Sequence, residues 1–271
     1  MDAVEGATGR DGTPEPAAWS RRRSPAVLAT MAFLGALTLL VLLWAGTGLP
    51  DRDWARVVAG AVLALVMGST VGFLAVAATR GSGAAPRLGS WSDGVQGVRF
   101  DYSTATYCWF SLLVVGCVLV FLCVGVAIGS VLGVLPAAGA ALLGWYLVVM
   151  LRHAPGGLLL SPAGIAHRGP TNFYAVPWSA VRGIEAWDLG TSALVVKAHA
   201  SPQSVLRRYT GWFDTGELRY LPFLVVRTYW LAADREAIRS ALAFYLAHPE
   251  LRGELGSEAA VRRIAEGRTG A

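Results

Sequence analysis

Charged residues leave three long uncharged runs along the chain. The runs cover residues 24–50, 57–79 and 102–151, with lengths of 27, 23 and 50 residues. A membrane-spanning helix needs about 20 apolar residues, because a helix rises about 1.5 Å per residue and the hydrocarbon core of a bilayer is about 30 Å thick. The first two runs each fit one helix and the third fits two. The pattern predicts four spanning helices, over residues 25–49, 55–79, 106–129 and 133–151.

The third run is long enough for a helical hairpin. Its best turn residues are Gly129, Ser130 and Gly133, and Pro136 is tolerated in the first turn of the returning helix. The first run exceeds the roughly 7–15 apolar residues of a signal-peptide core, so we expect it to stay as a membrane anchor. The predicted transmembrane domain therefore covers residues 25–151 and consists of two helical hairpins.

Arginines flank the predicted helices unevenly. They are concentrated in the N-terminal tail, in the loop at 80–105 and after the last helix. The loop at 51–56 balances two arginines with two aspartates, and the turn near residue 130 is uncharged. Lysine and arginine accumulate on the cytoplasmic side of membrane proteins. We therefore expect a multi-pass protein of the cell (plasma) membrane, with both termini and the loop at 80–105 in the cytoplasm.

Short strand-like segments dominate the chain after the last predicted helix. Apolar runs separated by Gly, Pro, Asn and Asp are typical of antiparallel strands joined by turns. The predicted strands cover residues 158–160, 165–168, 175–178, 181–187, 192–199 and 223–231. In the loop at 80–105, Val98 and Phe100 alternate with two charged residues, which predicts one more short strand.

The hydrophobic period changes after the last of these strands. Asp234 is a favourable N-cap and Pro249 ends the pattern, and between them Ile238, Leu242 and Tyr245 share one helical face. The predicted fold class is therefore membrane α + β, with residues 152–248 forming a cytoplasmic antiparallel domain, a small bent sheet or partial barrel capped by a C-terminal helix. We expect residues 1–24 to be a disordered cytoplasmic tail and 249–271 to be a helical or frayed tail, whose membrane contact stays open.

One segment of this region, LLLSPAGIAHRGPTNFYAVPWSAVRGIEAW, combines several motifs. It has an aliphatic strand, a Ser-Pro-x-Gly turn, an Ile-x-x-Arg strand and a Pro-Trp-x-x-Val-x-x-Ile stretch. The matching residues are Ser161, Pro162, Gly164, Ile165, Arg168, Pro177, Trp178, Val181 and Ile184. In these features the segment resembles the opening of bacterial pleckstrin-homology-like (PH-like) domains. We expect a core that includes Trp178, Val181, Ile184, Val195, Val226 and Leu242.

A broader resemblance concerns the whole chain. Four helices followed by such a domain, with 22 arginines against one lysine, resemble multi-pass membrane proteins of high-GC actinobacteria. That resemblance implies a membrane-bound binding module. It supplies no catalytic or ligand-binding residues.

Composition agrees with a membrane protein. Apolar residue types make up 54% of the 271 residues and charged types 15%, with a mean hydropathy of +0.49. A soluble domain carries about 25% charged residues, so a wholly soluble or wholly disordered chain is excluded. The net charge of +5 suits anionic lipid headgroups, although the positive-inside rule alone also accounts for it. We expect no nucleic-acid partner.

Candidate catalytic and metal-binding residues are few. Cys108, Cys117 and Cys123 point in three directions on one predicted helix, and Asp214 and Glu217 lie in a DTGE stretch that favours a turn over an acid–base pair. The chain lacks HExxH, CxxC, GxxxxGK[ST], GxGxxG and GxSxG motifs. The histidines, at widely spaced positions, are His153, His167, His199 and His248. We therefore expect no catalytic residue, metal or cofactor.

The predicted helices contain two pairs of glycines at a spacing of four. Gly68 and Gly72, and Gly125 and Gly129, permit close helix contact, either within the four-helix bundle, which we favour, or in a homo-oligomer. No Asp, Glu, Lys, Arg or His lies in the three uncharged runs that predict the four helices, which argues against an ion-coupled transporter because such residues mark proton and ion pathways.

A basic, aromatic segment is the best candidate binding site. Arg207, Arg208, Tyr209 and Trp212 lie in a stretch with no clear strand pattern, interpreted as a flexible loop. Such a loop suits anionic phospholipid headgroups or a membrane-protein partner, although two arginines fall short of the usual cluster. We expect a non-enzymatic scaffold, sensor or regulator. The alternatives are a component of a transporter or oligomeric channel, or an enzyme with an unrecognised site.

Overall fold

The computed structural model describes residues 25–78, 83–91, 94–189, 191–211 and 216–270. Within these ranges the chain forms two compact units. The helical unit comes from Arg23–Thr79 and Thr104–Ala154. The sheet unit comes from Arg80–Ser103 and Pro155–Ala271. The predictions for residues 1–24 lie outside the described residues.

Four long helices make up the helical unit. They are α1 (Pro25–Gly46), α2 (Trp54–Ala78), α3 (Thr104–Ile128) and α4 (Val134–Arg152). Each is long and apolar enough to cross a membrane, which confirms the four predicted helices. The predicted ends differ from these bounds by three residues or fewer.

A tight turn joins α3 to α4 at the predicted place. Gly129 has a φ of +59°, a left-handed conformation that glycine adopts without steric cost. Ser130 then caps a short 3-10 helix, Val131–Gly133, by accepting a hydrogen bond from the amide of Leu132 at 3.3 Å. The uncharged third run therefore folds back as a helical hairpin.

Several glycines lie where neighbouring helices of the bundle approach each other. A Cβ atom at Gly72 would lie 2.3 Å from the ring of Trp109 on α3, so only glycine fits beneath that indole. A Cβ at Gly125 would lie 3.3 Å from the carbonyl of Gly133, and one at Gly68 would lie 3.9 Å from Thr38. The structure corrects the prediction that Gly129 packs one helix against another. Gly129 lies beyond the end of α3 and forms part of the turn.

Nine described strands form two antiparallel sheets in the sheet unit. They are β1 (Arg87–Ser90), β2 (Gln96–Asp101), β3 (Gly157–Ser161), β4 (Gly164–Arg168), β5 (Asn172–Pro177), β6 (Val181–Asp188), β7 (Ser192–Ala198), β8 (Val205–Arg208) and β9 (Leu224–Arg227). The larger sheet has the order β1-β2-β3-β4-β5-β8, and the smaller has the order β6-β7-β9. An antiparallel, strand-rich region after the four helices is thereby confirmed.

Two strands of the larger sheet come from the segment between α2 and α3. The strand predicted around Val98 and Phe100 is β2, and it pairs with β3 so that Phe100 lies opposite Leu158. Residues 80–105 are predicted as a loop of the membrane domain, but the structure corrects this prediction because β1 and β2 belong to the sheet unit. Hydrophobic alternation identifies a strand, but it does not identify a partner across more than 50 residues of sequence.

Helix α5 (Arg235–Ala247) is the predicted C-terminal helix. Asp234 caps it by accepting a hydrogen bond from the amide of Glu236 at 3.4 Å, and the predicted face residues Ile238, Leu242 and Tyr245 are buried. The chain then forms a 3-10 helix, Pro249–Gly256, and α6 (Glu258–Ala265).

The tail after α5 packs on the sheet unit. Helix α6 contacts β1 and the preceding 3-10 helix. Glu254 accepts hydrogen bonds from the Tyr245 hydroxyl at 2.8 Å and from Arg263 Nε at 2.6 Å. Residues 249–265 therefore fold largely into two short helices on the sheet unit.

Five of the six predicted core residues are buried: Trp178, Val181, Val195, Val226 and Leu242. The sixth, Ile184, is only half-buried. It lies on β6, an edge strand of the smaller sheet, so one side of it lacks a neighbouring strand. The edge position is the physical reason for this correction.

Candidate ligand groove

The larger sheet has two chemically different faces. Paired residues on neighbouring antiparallel strands project their side chains to the same face. On the core face, Val98, Phe100, Leu158, Leu160, Ile165 and Val176 are almost completely buried. On the opposite face, which we call the open face, several side chains are half-buried or exposed.

Small side chains form the floor of a groove on the open face. The strand register aligns Leu159, Ala166, Ala175 and Val205 in one row across β3, β4, β5 and β8. The two alanines in the middle of this row lie between larger neighbours. A depression therefore runs over β4 and β5.

Aromatic side chains form one wall of the groove. Trp91 and Phe173 meet edge to face with ring centroids 5.7 Å apart, and both are buried together with Leu159. Tyr209 packs against this cluster. Trp91, which follows β1, covers an otherwise open sheet surface and fixes the shape of the wall.

Arginines surround the aromatic wall. The guanidinium of Arg168 lies 5.1 Å from the ring centroid of Trp91, and that of Arg207 lies 5.7 Å from the ring centroid of Phe173. Both distances fall within the range of cation–π attraction. Arg99 lies 5.9 Å from the Trp91 ring and is ion-paired with Asp101, which also pairs with Arg87.

The groove has a volume of about 320 Å³. Pockets for small molecules span about 300–1,000 Å³, so this groove has room for a small ligand or a short chain segment. Its described lining residues are Trp91, Val95, Leu159, Ser161, Ala163, Gly164, Ile165, Ala166, Phe173, Ala175, Val176, Pro177, Gln203, Val205 and Arg207. Two of them, Ile165 and Val176, have their side chains on the core face.

The structure separates the predicted basic segment into two faces. Arg207 and Arg208 lie in strand β8 rather than in a flexible loop, opposite Phe173 and Asn172 respectively. Successive residues of a strand point to opposite faces. Arg207 therefore lines the groove and Arg208 does not, while Tyr209 supports the aromatic wall. Trp212 lies outside the described residues.

Most of the groove was not predicted. Trp91, Phe173 and Arg168 belong to three separate segments, and only the strand register brings them together. Strand β8 was missed because its sequence, Val-Leu-Arg-Arg, lacks the alternation of apolar and polar residues that marks a half-buried strand. The one available signal was the proximity of Arg207 to aromatic residues.

Other titratable residues of the sheet unit have structural roles. His167 is buried, and its Nε2 atom lies 2.6 Å from the Tyr102 hydroxyl. Burial lowers the pKa of His167 to about 3, so the ring is neutral near pH 7. Glu217 is buried with its carboxylate 4.0 Å from Arg227 Nε, and Asp214 lies outside the described residues.

No candidate metal centre is found among the described residues, where no three His, Cys, Asp or Glu side chains cluster. The cysteines of α3 are free thiols. No protein-family model, curated protein or solved structure matches the chain. The resemblance to PH-like domains therefore stays a prediction.

Proposed function

We propose that this chain is a non-enzymatic membrane protein whose sheet unit binds a ligand or partner in the open-face groove. The observation that carries the proposal is an apolar groove, floored by Ala166 and Ala175, beside arginines that rest on its aromatic wall. Concave apolar sites with a few polar groups are typical of binding sites. Such a module would act as a membrane-tethered scaffold, sensor or regulator.

The absence of reactive pairs in the groove favours binding over catalysis. Among its described lining residues, Ser161 is the one nucleophile, and its hydroxyl is engaged in the turn that it begins. That hydroxyl donates to the Gly164 carbonyl at 2.9 Å and accepts from the Gly164 amide at 3.2 Å. No histidine or carboxylate of the described chain lines the groove beside it.

The proposed location is the plasma membrane, with both termini and the sheet unit in the cytoplasm. Arginine placement supports this orientation. The pairing of β2 with β3 adds support, because it requires the segment before α3 and the segment after α4 to lie on the same side. Two crossings by α3 and α4 satisfy that requirement.

The proposed fold of residues 152–248 is PH-like. Its support is the series of strands β3 to β9, which are divided between two sheets and are followed by helix α5. Strands β1 and β2 extend the larger sheet beyond that region.

Thiol labelling of the full-length protein tests whether the groove is occupied. In a variant with Cys108, Cys117 and Cys123 replaced by Ala, Val95→Cys puts one thiol at the groove. We expect it to react several-fold more slowly with a maleimide in open native membrane fragments than in purified protein, because an occupant covers it. Ala243→Cys, an exposed position on α5, is the matched control. Equal slowing at both positions contradicts the proposal.

The same labelling reports the orientation. Ser130→Cys lies in the exposed turn between α3 and α4 and should react with an impermeant maleimide in intact cells. Val95→Cys should react only after the cells are opened. Labelling of Val95→Cys in intact cells would overturn the proposed orientation.

A further inference from the structure

The groove combines an apolar interior with a single positive charge. Among the described residues that line it, Arg207 is the one with a charged side chain. Ser161 and Gln203 have polar, uncharged side chains. Alanine, valine, leucine, tryptophan and phenylalanine supply most of the remaining surface. A ligand that matches this lining is apolar along most of its length and carries one anionic group.

The charged group lies toward one end of the groove. Strand β4 runs from Gly164, opposite Pro177, to Arg168, opposite Phe173, and Phe173 in turn lies opposite Arg207. A strand rises about 3.3 Å per residue, so the two ends of the groove are about 13 Å apart. Among the described lining residues, those at the Gly164 end carry no charge, whereas arginines lie at the Phe173 end.

Arginine side chains lie at that end of the open face. Asp101, an acidic residue in the same cross-strand row, is ion-paired with Arg87 and Arg99. Arg168 and Arg207 add two positive charges next to the aromatic wall. Arginine binds carboxylates and phosphates through paired N–H donors.

We propose that the groove binds a single acyl chain with an anionic head group, the head at Arg207 and Arg168 and the chain over Ala166 and Ala175. This inference rests on the proposed function of the groove as a binding site. The volume of about 320 Å³ is at the low end for small-molecule pockets, which suits one chain rather than two.

A photoactivatable fatty acid tests the inference directly. The probe is a twelve-carbon carboxylate with a diazirine near the tail, added to full-length protein in phosphatidylcholine nanodiscs. We expect labelling of the peptides around Ala166, Ala175 and Val205. Competing unlabelled carboxylates should bind about fourfold more tightly per added methylene until the groove is filled. An alkyl phosphocholine of equal length should compete poorly.

Adjacent residues provide matched variants for the charge. Arg207→Gln should weaken probe binding about tenfold, because a charge-assisted hydrogen bond is lost. Arg208→Gln removes the same charge from the opposite face of the same strand and should leave binding unchanged. Equal effects of the two substitutions would overturn the inference, because they would indicate nonspecific electrostatic attraction.

A second pair of variants tests the acyl chain. Ala175→Leu fills the groove floor and should abolish labelling of the groove peptides, whereas Ala243→Leu adds the same bulk at an exposed site on α5 and should not. Labelling that survives Ala175→Leu overturns the inference. If Val95→Cys is protected in native membranes but the probe does not label the groove, another occupant such as a peptide is bound. That result overturns the acyl-chain inference and leaves the proposed function standing.

Discussion

Arg207 and Arg208 are neighbours with the same charge, yet one peptide unit places them on opposite faces of the larger sheet. Arg207 rests on Phe173 and lines the groove, whereas Arg208 lies opposite Asn172. A charge count over the segment cannot separate their roles. The pleat of the strand distinguishes the two arginines, because successive side chains point to opposite faces of the sheet.

His167 is a second residue whose environment determines its behaviour. Its ring is buried beside Tyr102, and burial lowers the pKa of His167 to about 3 from an ordinary value near 6.5. Between these two pH values the unfolded chain binds a proton that the folded chain does not. Stability therefore falls as the pH drops below about 6.5.

We predict that His167→Gln reduces this pH dependence. Gln can still accept a hydrogen bond from the Tyr102 hydroxyl, but it has no proton to gain. For the unchanged protein in detergent, the free energy of unfolding should decrease by up to about 1.4 kcal/mol per pH unit between pH 6.5 and 5. Thermal unfolding at pH 7 and pH 5 measures the difference. A variant that keeps the full decrease would contradict this account.

His167 and the Glu254 carboxylate affect stability in different pH ranges. Arg263 lowers the pKa of Glu254 by hydrogen bonding to it, so the stability which that pair contributes is lost only as the pH falls below the usual range of a carboxyl group. Measurements above pH 5 therefore report mainly on histidine.

Among the elements of the sheet unit, β2 pairs with a strand that is far away in sequence. It lies between α2 and α3, yet Val98 and Phe100 are buried and face Leu160 and Leu158 of β3. Burying these side chains requires the chain to return after two further helices. The stability of the C-terminal region therefore depends on a segment that precedes α3.

We predict that Phe100→Ala lowers the free energy of unfolding by about 3–5 kcal/mol, because it removes a buried aromatic side chain. Limited proteolysis should then cut the chain after residue 155 more rapidly. Val95→Ala, at an exposed position in the same segment, is the matched control. Equal protease resistance of the two variants would show that β2 does not support the sheet.

Local patterns explain which elements were predictable. Twenty-residue apolar runs predict α1 to α4, and alternation with turn residues predicts β3 to β7, because both signals are contained within one short window. Asp234 and Pro249 likewise mark the ends of α5. The groove has no such signal, since Trp91 precedes α3 and its other walls follow α4. Only the strand register juxtaposes them.

At the scale of the whole molecule, the groove and the helices are linked through the chain. Trp91 and Val95 lie before α3, while Phe173 and Val205 lie after α4. The groove therefore forms only when the α3–α4 hairpin returns the chain so that β3 can pair with β2.

The most direct test of the groove as a binding site is photo-crosslinking in native membranes. Val205 and Leu206 are adjacent on β8 and similarly exposed, at 41% and 37%, but only Val205 lines the groove. Replacing each in turn by p-benzoyl-phenylalanine places the same reactive group on opposite faces. We expect a light-dependent adduct, identified by mass spectrometry, that is several-fold more abundant from position 205. Equal yields from both positions, or no adduct from either, would contradict the account.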